Sequence, residues 1–173
     1  MRVLSFVVLT LVLAGCVTAP AGNGSSGAAS SNTATPTQTQ SFVAALEAKR
    51  GSALTLAERL QVQGLTGTAK VGLNNAQNNF LNKVGAQVGL NGAVIAAMFP
   101  EAGKPLSENA AVAKIESSLG KKLTVADQTA VKAATALRNN SLVSLKTGLA
   151  ASIGSRIGMS TDVVLALMPM LGL

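Results

Sequence analysis

Two stretches share one pattern: NKVGAQVGLNGAVIAAMFP at 82–100 and ASIGSRIGMSTDVVLALMP at 151–169. In each, apolar residues at helical spacing run into a glycine, Gly89 or Gly158. Glycine takes the left-handed conformation that ends a helix, and the apolar residue after it, Leu90 or Met159, closes a Schellman-type contact. Asn91 and Ser160 are N-cap residues for a second, short helix. Pro100 and Pro169 close that helix, because proline cannot donate to a continuing turn. The pattern therefore predicts helix, tight turn, short helix, and it does so twice.

The match extends outward. Residues 42–100 align with 111–169 at an offset of 69 without a gap, and residues 101–110 join the copies. Glu47/Glu116, Gly51/Gly120, Leu54/Leu123 and Thr55/Thr124 are among the identical pairs. Thr55 with Glu58, and Thr124 with Asp127, have capping-box spacing, with Asp the poorer partner. Leu73, Ala76, Phe80, Val84 and Val88 form an i, i+3, i+4 stripe, as do Leu142, Leu145, Leu149, Ile153 and Ile157. Each unit reads as a short helix, a long helix and a short helix. The segments 70–72 (KVG) and 139–141 (NNS) predict a kink or break in the long helices, and Gly64 and Gly67 weaken the first copy further. No stretch alternates with period two, so no sheet is expected. The expected fold is all-α: two tandem helical repeats, 42–100 and 111–169, packed into one small bundle over 42–173, since one such unit is marginal alone.

Composition agrees. The chain of 173 residues is 48% hydrophobic, almost all of it aliphatic, with no Trp, Tyr or His. Fourteen Lys/Arg stand against seven Asp/Glu, a basic balance that fits nucleic acid or an anionic envelope surface. The N-terminus favours the second. Arg2 precedes an apolar run, Val3 to Leu13, too short to span a bilayer, and Leu13-Ala14-Gly15-Cys16 follows. This end resembles the signal peptide and lipobox of bacterial lipoproteins. The resemblance covers residues 1–16 and implies cleavage of 1–15 and lipidation of Cys16, the only cysteine. It implies a membrane anchor made of covalent lipid, with no other cofactor. By the same resemblance Val17, rather than Asp, favours the outer membrane in a Gram-negative cell. Residues 17–41 carry no charge and little apolar bulk, so 16–41 reads as a lipidated cysteine and a flexible linker.

The sequence is poor in chemistry. The turn at 151–169 resembles half of a DNA-binding helix-turn-helix, yet a recognition helix needs Arg, Lys, Asn or Gln aimed at base edges, whereas STDVVLALM carries an acid and NGAVIAAMF is nearly all apolar. No nucleic-acid partner is expected. With no His and no free Cys, triads and the usual zinc sites are ruled out, and no catalytic or metal residue is assigned. Glu47 and Glu116 are matched and, if the copies face each other, form a conceivable carboxylate pair. Candidate interaction residues are Asn74, Asn75, Asn78, Asn79 and Asn82 in LNNAQNNFLN, together with Lys121 and Lys122. The resulting expectation is a non-enzymatic, membrane-anchored envelope lipoprotein that contacts another envelope protein; the alternative is a lipid- or membrane-binding helical module.

Overall fold

A computed structural model describes residues 37–173 as six α-helices and a closing 3₁₀ turn. The helices are α1 (Gln38–Arg50), α2 (Leu56–Val88), α3 (Gly92–Met98), α4 (Glu108–Leu119), α5 (Val125–Ile157) and α6 (Thr161–Leu167), and the 3₁₀ turn is Met168–Leu171. No strand occurs among the described residues, and the fold is all-α. The expected export segment, Cys16 and the expected linker up to residue 36 lie outside the described residues.

Local chemistry sets the helix ends. Helix α1 starts ahead of the expected boundary at 42. Thr37 accepts from the Gln40 N–H, and the Gln40 side chain returns to the Thr37 N–H at 2.7 Å. Uncharged Thr, Gln and Ser continue the linker composition across this start and hide it. Thr55 and Glu58 form the expected reciprocal capping box. Thr124 accepts from the Asp127 N–H at 3.2 Å but donates its hydroxyl to the Asp127 carboxylate, whose shorter stem makes no bond to the Thr124 N–H. Gly89 and Gly158 are left-handed, with φ of 70° and 68°. Leu90 and Met159 donate their N–H to the Gly85 and Gly154 carbonyls at 3.0 and 2.9 Å, the bond of a Schellman end. A Cβ on Gly85 or Gly154 would lie 2.8 or 2.6 Å from the carbonyl of Leu90 or Met159. The glycines that give this turn its helix-turn-helix look are therefore requirements of a close backbone approach.

Two details differ from expectation. Asn91 caps α3 by accepting from Ala93 N–H at 2.9 Å, whereas Ser160 makes no side-chain cap bond and α6 starts on backbone bonds alone. Pro100 lies beyond α3, but Pro169 enters the 3₁₀ turn, whose first positions need no N–H donor.

The two long helices run antiparallel. Gln87, near the end of α2, donates to Asp127, at the start of α5, at 2.7 Å. One core joins α1 and the first half of α2 to the last third of α5, α6 and the C-terminus, around Phe42, Leu46, Val62, Ile153, Val164 and Met168. The other joins α4 and the first third of α5 to the second half of α2 and α3, around Phe80, Val84, Ile95, Ile115 and Val131. Phe80 meets Phe99 edge-on there at 5.4 Å. Helix boundaries keep the offset of 69: Leu56/Val125, Val88/Ile157, Gly92/Thr161 and Met98/Leu167.

The expected break at 70–72 and 139–141 does not occur; α2 and α5 each continue for 33 residues. Packing outweighs the local propensity cost. Gly72 admits the Leu145 side chain, whose Cδ2 would lie 2.8 Å from any Cβ. Asn139 uses its amide on Leu106, donating to its carbonyl at 2.7 Å and accepting from its N–H at 3.0 Å, so the side chain does not compete for its own helix. A Cβ at Gly64 or Gly67 would meet nothing within 4 Å, so close packing requires neither glycine. Gly64→Ala and Gly67→Ala should each raise stability by about 0.5–1 kcal/mol, read as the urea midpoint by circular dichroism. A lowered midpoint would show that these glycines have a packing role.

Candidate functional site

The seam between α2 and α5 opens into a cleft of about 720 Å³. Leu65, Ala69, Ala76, Leu137, Leu145 and Leu149 supply its apolar surface, and Asn75, Asn79, Asn140, Ser141, Ser144 and Ser152 supply neutral polar groups. No ionisable side chain lines it. The antiparallel pairing brings residues related by the offset of 69 into one lining. Thr68 and Leu137, Asn75 and Ser144, Ala76 and Leu145, and Asn79 and Gly148 are pairs at the offset of 69, and all line it.

The candidate surface residues separate. Asn75 and Asn79 line the cleft. Asn74 lines a different hollow, beside Lys70 and Glu101, while Asn78 and Asn82 are simply exposed. Asn75 and Asn79 are one turn apart on the side of α2 that meets α5, whereas Asn74 and Asn78 are each rotated by about 100° from the asparagine that follows them. Lys121 and Lys122 lie in the α4–α5 loop, away from the asparagines in sequence and in packing. Lys122 pairs with Glu116 at 2.7 Å, and its exposed side chain makes this a weak tie.

Glu47 and Glu116 do not form a carboxylate pair. Glu47 accepts from the Leu54 N–H at 2.9 Å and from Arg59. Glu116 accepts from the Leu123 N–H at 3.1 Å, from Gln128 and from Lys122. Each carboxylate fastens the loop that follows its own helix, so the identical glutamates and Leu-Thr pairs mark two loops of the same build. The Leu54 N–H, then Arg59, hold Glu47 below the usual carboxylate range, and Lys122, then the Leu123 N–H, do the same for Glu116. Glu58 is lowered by the Thr55 N–H and by Arg50, and Asp127 by Gln87 and then Thr124. These four acids are anionic tethers at helix starts and loops, which is the reverse of the raised pKa that a general acid needs.

Arg138 is the polar residue that the sequence pattern does not single out. It is 4% exposed, and every N–H of its guanidinium has an acceptor. Nε donates to Gln77 at 2.6 Å; Nη1 to the Lys104 carbonyl at 3.0 Å and to Asn139; and Nη2 to the carbonyls of Glu101 and Ala102 at 2.7 and 3.0 Å. Gln77 in turn donates to the Phe99 carbonyl at 2.7 Å. The charge lies 5.7 Å from the Phe80 ring centroid. No carboxylate pairs with it, and burial pushes its pKa down. The available signal is faint: at the offset of 69, Arg138 aligns with Ala69, a core position. A charge at a core-register position needs buried acceptors, and here the segment joining the halves supplies them.

No protein-family model, no curated protein and no solved structure matches this chain. Among the described residues no helix is long and apolar enough to cross a membrane, and no group of three or more acidic or thiol side chains is placed to hold a metal ion.

Arg138→Met should destabilise the fold by about 3 kcal/mol, because Gln77 and the 101–104 carbonyls lose their donors. Arg138→Lys should recover little of this, since an ammonium lacks the planar five-donor fork. Chemical denaturation of the three chains checks this; equal midpoints would show that water replaces the guanidinium without cost.

Proposed function

We propose that this chain is a cell-envelope lipoprotein, anchored through lipidated Cys16, whose helical domain acts by binding rather than by catalysis. The observation that carries the binding role is the α2–α5 cleft, an open groove between packed helices lined by apolar and neutral polar groups. The anchor reading is supported by Leu13-Ala14-Gly15-Cys16 after a short apolar run. The non-catalytic reading is supported by the use of Glu47, Glu58, Glu116 and Asp127 to hold helix starts and loops. We read the offset of 69 as the trace of a tandem duplication, on the strength of the sequence matches and the equal helix spacing.

A second reading, a lipid- or membrane-binding module, is favoured by one feature: the apolar part of the cleft is almost purely aliphatic. On either reading the anchor keeps the domain near a membrane.

The anchor is tested by expressing the full chain in a Gram-negative host with radiolabelled palmitate. The native chain should take up label and sediment with membranes, and Cys16→Ser should do neither. Equal labelling or equal sedimentation of the two would overturn the anchor.

A further inference from the structure

Pairs at the offset of 69 line the middle of the cleft, but its two ends differ in charge. Through Ala76, Asn79, Leu137 and Ser141 it continues into a second hollow of about 210 Å³, which Lys83 and Arg138 also border. At the offset of 69, these two cations align with Ser152 and Ala69, and both line the opposite part of the cleft. The same register thus places two positive charges at one end and a hydroxyl and a methyl at the other. No carboxylate lines either hollow.

The two cations differ in what they can do. All the donors of Arg138 are engaged within the protein, so it contributes a fixed positive field in a poorly hydrated place. Lys83 is exposed and forms no ion pair among the described residues, so its ammonium is free to donate. Between the cationic end and the neutral end, the recess offers aliphatic surface interspersed with neutral Asn and Ser side chains, and no charge. An apolar chain gains free energy with each CH₂ it buries on such a surface, and an anion finds its complement at one end only.

We propose that the α2–α5 cleft binds a single-chain amphiphile with an anionic head, its chain along Leu65, Leu145 and Leu149 and its head at Lys83. This rests on the cleft being the binding face of the domain and names the ligand class. Fatty-acid carboxylates and single-chain phospholipids share the required chemistry.

The test uses the chain with Cys16→Ser, purified without detergent, and isothermal titration calorimetry with palmitate below its micelle concentration. Saturable one-to-one binding is expected. Lys83→Gln, an exposed substitution, should weaken it about tenfold or more, as loss of a hydrogen bond to a charged group does. Hexadecanol, which lacks the charge, should bind more weakly than palmitate by a similar factor, and inorganic phosphate should give no heat. Hexadecyl phosphate binding more tightly than palmitate would mark a phospholipid as the source of the ligand, and the reverse order a free fatty acid; both orders support the site. Gly148→Phe places a ring in the cleft from a position with nothing within 4 Å of its Cβ, and should abolish binding while the melting curve is kept. Absence of saturable binding, equal affinity in Lys83→Gln, or equal affinity in a folded Gly148→Phe chain would overturn the proposal. The titration uses an unanchored chain, so its failure leaves the Cys16 result standing, and failure of the anchor leaves the titration informative.

Discussion

The antiparallel pairing of α2 with α5 sets the first part of each long helix beside the last part of the other, and the short helices depend on that juxtaposition for the surface they cover. Helix α1 packs with α6 and the C-terminal turn, not with α3, which follows it more closely in the chain. Helix α4 packs on the start of α5 and closes the core that these share with α3 and the second half of α2. A core made this way has to be assembled from distant parts of the sequence, and neither 42–100 nor 111–169 contains one by itself. The cleft follows from the same constraint: the cores draw the short helices to the two ends of the seam, and its middle stays uncovered.

Polar side chains fix the details of this arrangement. Glu47 and Glu116 each reach from a short helix to the end of the loop that follows it, at Leu54 and Leu123, so the short helices are tied to the starts of α2 and α5 by charge-assisted bonds to backbone N–H. Arg138 does a related job with the sign reversed, holding the carbonyls of the joint between the halves, with Asn139 beside it on Leu106. Burying a guanidinium without a carboxylate is costly, and the cost is met here only because five acceptors converge on it.

How much of this is legible in the sequence depends on range. The helix ends at Gly89 and Gly158 and the Thr55 cap are visible because their partners lie close by in the chain, and the Phe80 to Val88 stripe shows the helix itself. The joint cage around Arg138 is not visible, because its carbonyl partners lie 34 to 37 residues away and a carbonyl has no residue type. The continuity of α2 through Gly72 is decided by Leu145 on the other long helix, which no local propensity reports. Of the asparagine run, the sequence marks a polar helix surface, but only the pairing with α5 decides that Asn75 and Asn79 line the cleft while Asn78 and Asn82 do not.

The interleaving of halves is the claim on which fold, cleft and binding role all rest, and fragment complementation tests it most directly. Residues 37–104 and 105–173, produced separately and followed by circular dichroism, should each lack a cooperative melting transition. Mixed in equal amounts, they should regain helix content and one shared cooperative transition that depends on concentration. A fragment that melts cooperatively as a monomer, or a mixture whose spectrum is the sum of its parts, would contradict a core shared between the halves.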